Sequence, residues 1–216
     1  MSSVARNTLP QIKAGTRTTI AGRTGSGKTS LTRYLIEKRS RQHWVIFNPK
    51  HTAGYNSLPD SVTLQKWDAK KFEKAITDHR FVILNFARNE LNHEFMDAVV
   101  SYIHESYDDL GFCFDELYYM HRNMEPGEGM VGLYTRGRER KQSVLGLVQR
   151  PKRISLFCFS EADYIGSMAL NLEGDRKRMV EATGEERFIH SLPKYVWRWY
   201  NVDADSSSLW GAVPLG

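Results

Sequence analysis

Two cysteines in 216 residues, Cys113 and Cys158, leave no material for a disulfide framework or a cysteine-built zinc site. Both stand inside apolar runs, which predicts buried, reduced thiols and a cytosolic, reducing setting. No apolar run approaches the roughly 20 residues that a helix needs to span a bilayer. The opening MSSVARNTLPQIKAG lacks the apolar segment of a signal peptide. Internal repeats and low-complexity tracts are absent as well.

What is present is globular. Hydrophobic residues make up 41% of the chain and aromatics 12%. The length suits one α/β unit, with an N-terminal arm at 1–15, a domain at 16–202 and a Ser- and Gly-containing C-terminal segment at 203–216 that reads as a mobile tail or docking arm. Thirty Lys plus Arg against twenty-five Asp plus Glu give a formal charge of +5, compatible with a polyanionic partner without demanding one. The basic residues gather at 33–41, 136–141, 150–153 and 176–178. Any one of these clusters, taken alone, reads as a solvated helix face.

The most informative residues are 22–29, Gly-Arg-Thr-Gly-Ser-Gly-Lys-Thr, a full G-x-x-x-x-G-K-[ST] phosphate-binding loop. A β-branched run precedes it, and Leu31, Tyr34 and Leu35 recur at helical spacing after it. Such a strand–loop–helix binds a nucleoside triphosphate. Gly22, Gly25 and Gly27 permit positive φ or close approach, so that backbone N–H groups can wrap phosphates at the positive end of a helix. Lys28 supplies a charge near the β and γ oxygens, and the Thr29 hydroxyl suits Mg²⁺. The predicted nucleotide-binding set is Gly22, Arg23, Thr24, Gly25, Ser26, Gly27, Lys28, Thr29 and Ser30, with ATP and Mg²⁺ as the expected ligands.

Further along, residues 44–47 and 81–86 read as buried strands, 64–78 as a short helix, and 90–108 as an amphipathic helix carrying Leu91, Phe95, Val99 and Tyr102. Then come an apolar strand ending in Asp115-Glu116, a helical stretch over 130–141, a strand over 144–149 and another apolar run at 154–159. Residues 194–202 alternate as a late edge strand. Repeated strand–helix alternation predicts a mainly parallel sheet sandwiched between helices, which with the phosphate loop is an α/β P-loop NTPase fold.

Strand C-termini converge on the phosphate site in such a sheet. Asp115 can therefore hold Mg²⁺ through water, and Glu116 can polarise an attacking water as general base. Gln149 ends the next strand, where its amide can sense or orient that water. Arg136, Arg138 and Arg140 crowd the end of the preceding helix, and an arginine lent by a neighbouring subunit could neutralise charge developing in phosphoryl transfer.

These four elements in order, GRTGSGKT, FCFDE, TRGRER and VLGLVQRP, resemble the FtsK/HerA superfamily of P-loop DNA-pumping ATPases over residues 15–200. The discriminating piece is an arginine eleven residues before a strand-terminal Gln followed by Arg-Pro, reproduced by Arg138 and Gln149. The small single-domain members to which the chain is similar are genome-packaging ATPases of tailless icosahedral double-stranded DNA viruses with an internal membrane. The resemblance implies a homo-oligomeric ring, a hexamer, with double-stranded DNA in the channel and each site completed by Arg138 or Arg136 of the adjacent subunit. It also implies capsid portal or vertex proteins and the internal membrane as neighbours, in the host cytoplasm or at the virion packaging vertex. Many relatives carry an acid where this chain has Asn48, so that position receives no metal role.

Three other readings stay open. A cellular HerA/FtsK-like translocase would show the same core. A GTPase-type switch fits poorly, because Asn-Lys-x-Asp occurs nowhere and no Gly follows Asp115 at the switch spacing. A small-molecule or nucleoside kinase could use residues 136–141 as an arginine-bearing lid, but it would avoid a water activator such as Glu116.

Overall fold

A computed structural model describes residues 12–211. In chain order the elements are β1 (Arg17–Ala21), α1 (Lys28–Lys38), β2 (His43–Phe47), β3 (Ser61–Leu64), α2 (Ala69–Asp78), β4 (Phe81–Leu84), α3 (His93–Ser106), β5 (Leu110–Phe114), β6 (His121–Arg122), β7 (Glu125–Pro126), α4 (Glu128–Arg136), β8 (Ser143–Val148), α5 (Phe157–Ser160), β9 (Tyr164–Ser167), α6 (Glu173–Thr183), β10 (Trp197–Asn201) and β11 (Ser206–Trp210). The main sheet runs β11-β10-β9-β1-β8-β5-β2-β4-β3. From β9 to β3 every pairing is parallel, and β10 and β11 add an antiparallel edge. This is the expected P-loop NTPase fold class.

Period-two alternation divides each strand between two cores. On one face Trp44, Ile46, Ile83, Cys113 and Leu147 pack under Leu31, Leu35 and Ile36 of α1. On the other, Val45, Phe47, Phe112, Val144 and Val148 pack under α2, α3, α4 and α6. The central strands β5 and β8 are buried at every residue, so they read as continuous apolar runs, whereas edge strand β3 is half-exposed. Both cysteines are buried and free, and burial pushes the Cys158 thiol up to about 12. Among the described residues no helix is long and apolar enough to cross a membrane.

Several boundaries move. The helix expected over 64–78 starts at Ala69, where the Asp68 carboxylate accepts the Lys71 N–H at 2.9 Å, and Leu64 instead closes β3. The helix expected over 130–141 is α4 alone; it stops at Arg136, and the chain turns back through Lys141 at φ 55°. The apolar run 154–159 yields no strand. Its Phe157, Cys158 and Phe159 begin the short α5, and the next strand is β9, too short and mixed to show periodicity. Within the expected tail, Ser206–Trp210 form β11, paired antiparallel with β10, so a hairpin crosses the expected boundary at 202. The first eleven positions of the expected arm lie outside the described residues; Ile12 is buried and donates its N–H to the Arg39 carbonyl at 2.9 Å.

Gly111 shows how tightly β2 and β5 meet. It lies directly opposite Trp44 in the register, and a Cβ there would enter the Trp44 indole, which is itself held by an Nε1–H bond of 3.0 Å to Ser40 Oγ. Gly111→Ala is expected to destabilise the fold by about 1–3 kcal/mol through overpacking. Denaturant unfolding checks this, and an unchanged midpoint would mean that Trp44 moves freely.

Candidate functional site

The phosphate loop leaves β1 at Ala21 and is pinned from behind. Gly22 donates its N–H to the Val148 carbonyl at 3.0 Å, and Arg23 to that of Ala169 at 2.8 Å. Gly25 and Gly27 take φ of 73° and 104°, the left-handed region where glycine is favoured, and Gly27 is the N-cap of α1. Gly22 serves differently: it has no positive φ, but a Cβ on it would sit 2.7 Å from Ser26 Oγ and 2.9 Å from Met168 Cβ. Lys28 is buried, donating to the carbonyls of Gly22 at 2.6 Å and Arg23 at 3.2 Å. Burial, above all, lowers its ammonium to about 8, with Lys50 pushing the same way and Glu116 and Asp115 opposing.

β8 lies between β1 and β5 in the sheet. The ends of three neighbouring strands therefore present, side by side, the phosphate loop, Gln149 and the Asp115–Glu116 pair. The contacts follow that order. Thr24 Oγ1 donates to Gln149 Oε1 at 3.0 Å, and the Gln149 N–H reaches Glu116 Oε1 at 3.4 Å. Asp115 Oδ1 accepts from Tyr55 OH at 2.9 Å and Thr29 Oγ1 at 3.4 Å, while Oδ2 accepts from Thr52 Oγ1 at 2.9 Å. Burial above all, together with the Asp115 carboxylate beside it, raises the Tyr55 phenol well above its ordinary value, keeping it a donor. Glu116 Oε2 pairs with Lys50 Nζ at 2.5 Å.

Thr24, Lys28, Thr29, Ser30, Asp115 and Gln149 line one cavity of about 340 Å³. Glu116 faces an adjoining hollow of about 190 Å³ that shares Lys50 and Gln149 with the first. Size alone does not mark this site, since a hollow of about 670 Å³ bounded by Lys13, Arg41 and Asp109 contains none of the predicted residues. The positive-φ glycines at a helix N-terminus fit a polyphosphate, and the Thr29 hydroxyl beside the Asp115 carboxylate is a hard-oxygen pair that fits Mg²⁺ retaining waters.

The arginines are elsewhere. They lie between α4 and the N-terminal end of β8, the opposite end of the sheet from the loop. The six residues of β8 separate them from it by about 20 Å. Arg138 pairs with Asp163, which also binds Arg17 at 3.2 Å. Arg140 pairs with Asp108 at 2.9 Å and donates to the Glu105 carbonyl at 3.0 Å. Arg136 is exposed and, among the described residues, has no carboxylate partner.

Lys50, Thr52 and Tyr55 were not among the predicted site residues. Only Lys50 had a signal, the Asn48-Pro49 turn that closes a buried strand; Thr52 caps and Tyr55 ends a single 3₁₀ turn, Ala53–Tyr55, too short to show a period.

The fold and its loop define the P-loop NTPase class. Within it, the genome packaging NTPase B204 of Sulfolobus turreted icosahedral virus 2 superposes, in its sulfate complex, with a TM-score of 0.74 over 97% of this chain and 100% of that one, at 13% identity. Its complex with AMPPCP gives 0.72 over 93% and 99%, also at 13% identity. VirB4 of Thermoanaerobacter pseudethanolicus gives 0.68 over 97% and 98% at 9% identity. At these identities the likeness is one of fold. No protein-family model matches the sequence, and no curated protein does.

Asp115 carries its charge 4% exposed and depends on hydroxyl donors. Tyr55→Phe, which removes the 2.9 Å donor, is expected to cost about 1.5–3 kcal/mol of stability, the range for a hydrogen bond to a charged group. Urea unfolding measures it; a loss under about 0.5 kcal/mol would mean that Thr52 and Thr29 satisfy the carboxylate alone.

Proposed function

We propose that the chain is an ATP-driven double-stranded DNA translocase that packages a viral genome into a preformed capsid, hydrolysing ATP at the interfaces of a homo-oligomeric ring. The observation that carries the reading is the placement of Glu116 and Gln149 beside the phosphate-loop cavity, one strand apart. Lys28 and the loop N–H groups hold the phosphates, and Thr29 and Asp115 hold Mg²⁺, which would neutralise phosphate charge. Glu116 takes a proton from water, whose oxygen attacks the γ-phosphorus as the bond to the β-phosphate oxygen breaks and ADP departs. Gln149 orients that water and relays the state of the γ-phosphate.

Support for packaging comes from the fold shared with a viral genome packaging NTPase over nearly the whole of both chains. Support for a ring comes from the arginines, which cannot reach their own cavity. Of the three, Arg136 is the first candidate for a finger in trans, having no carboxylate partner among the described residues of its own subunit, and Arg138 the second. DNA would be held by its phosphates, without reading of bases.

Steady-state ATP hydrolysis with and without linear double-stranded DNA, at two salt concentrations, tests the reading. Stimulation that fades with salt is expected, because phosphate contacts release counterions. Hydrolysis indifferent to DNA would turn the reading toward a kinase or switch. Glu116→Gln is expected to retain nucleotide binding and lose turnover by about 10²-fold or more, the lower range for a general base. Arg136→Ala subunits mixed with Glu116→Gln subunits are expected to recover part of the turnover at hybrid interfaces. An assembled mixture that stays inactive, with Arg138→Ala behaving the same, would remove the arginines from catalysis.

A further inference from the structure

Each oxygen of Glu116 already has a partner. Oε2 lies 2.5 Å from Lys50 Nζ, and Oε1 accepts the Gln149 N–H at 3.4 Å. The ammonium occupies one side of that carboxylate, so a water cannot reach Oε2 from there while the pair holds. Lys50 is also the cation common to both hollows, bounding one with Lys28, Thr29 and Asp115 and the other with Glu116 and Tyr119.

The two partners differ in freedom. The Glu116 side chain is 7% exposed and that of Lys50 29%. The backbone beneath Lys50 is fixed: Pro49 sets its own φ, and Asn48 accepts the Thr52 N–H at 2.9 Å and donates to the Thr52 carbonyl at 3.2 Å. His51 takes φ 52° with its ring nitrogen 2.9 Å from the Phe86 carbonyl. Movement at this position therefore belongs to the four-carbon stem of Lys50, not to the loop.

We propose that Lys50 is a positioning residue for which Glu116 and the terminal phosphate of a bound nucleoside triphosphate compete, so that the triphosphate frees the base that activates the attacking water. Within the cavity a γ-phosphate is the anion able to draw the ammonium off a carboxylate. A nucleoside diphosphate, whose phosphates end one unit short, leaves the pair intact. The device would suppress attack until the substrate is seated. The inference rests on the reading of Glu116 as the base.

The test is the affinity, by calorimetry with Mg²⁺, for the β,γ-methylene analogue of ATP and for ADP, in the wild type, Glu116→Gln, Lys50→Met and the double variant. Glu116→Gln is expected to bind the triphosphate analogue about tenfold tighter and ADP unchanged, since the rival for Lys50 is gone. Lys50→Met is expected to weaken the triphosphate analogue about tenfold and ADP hardly at all. In the double variant the gain from Glu116→Gln should vanish. Lys50→Arg should keep the discrimination, and it stands in for the methionine variant if that one does not fold.

Equal effects on both nucleotides, or a gain from Glu116→Gln that survives without Lys50, would overturn the proposal and leave a static ion pair. Turnover by Glu116→Gln reports separately: full hydrolysis there removes Glu116 as base, while the binding ratios still decide whether Lys50 is contested.

Discussion

The buried carboxylate of Asp115 is the constraint on which the rest of the site depends. It is 4% exposed, at the end of a strand buried along its whole length. A carboxylate in that position without partners costs several kcal/mol, so the surrounding chain must bring donors to it. It draws them from two directions: Thr29 from the first turn of α1, and Thr52 and Tyr55 from the segment that follows β2. The segment folded down to deliver those hydroxyls is the one that carries Lys50, so the demand for donors at Asp115 also sets Lys50 against Glu116. One electrostatic requirement thus fixes the mutual placement of the phosphate loop, the adjacent carboxylates and the second lysine.

Strand order does the remainder. With β8 between β1 and β5, the residue after Val148 has to emerge between the phosphate loop and the carboxylates. Gln149 meets Thr24 on one side and Glu116 on the other. A contact chain from nucleotide loop to Glu116 therefore follows from the insertion of one strand. The tight seat of that strand is visible at Gly146, where a Cβ would come within 2.7 Å of Leu117, the residue after Glu116.

What could be read in the amino-acid sequence was whatever is encoded locally. The phosphate loop is a contiguous motif with its strand and helix attached, and Asp115, Glu116 and Gln149 each terminate an apolar run, so their convergence follows once the sheet is parallel. Thr52 and Tyr55 were not legible, because their role comes from a three-dimensional encounter with Asp115 and their one-turn segment has no period; Lys50 had only the Asn48-Pro49 turn before it and meets Glu116 through the same folding of the chain. Among the elements, the strands apolar along their length and the existence of α3 were legible, though Tyr102 of its expected stripe is exposed and Leu91 precedes the helix; β3, β9 and β11, mixed or Ser-rich in sequence, are defined by their neighbours in the sheet. The run 154–159 misled for a related reason. Burial against the helical side of the core makes α5 as apolar as a strand, and periodicity cannot separate the two over six residues.

The arginine run belongs to the opposite end of the sheet, and that separation is itself an argument about assembly. About 20 Å of β8 stands between these guanidinium groups and their own cavity, a gap that no arginine side chain crosses. In the proposed ring they could serve only a neighbour, and the contacts they keep at home then rank them. Arg140 would give up both a carboxylate and a backbone carbonyl. Arg138 would leave Asp163, but Arg17 remains on that carboxylate at 3.2 Å, and a pair whose arginine is 59% exposed contributes about 0–1 kcal/mol. Arg136 gives up no ion pair among the described residues. Because Arg17 stays on Asp163 when Arg138 leaves, Arg138 follows Arg136 as the arginine that the proposed ring would lend across an interface at small cost.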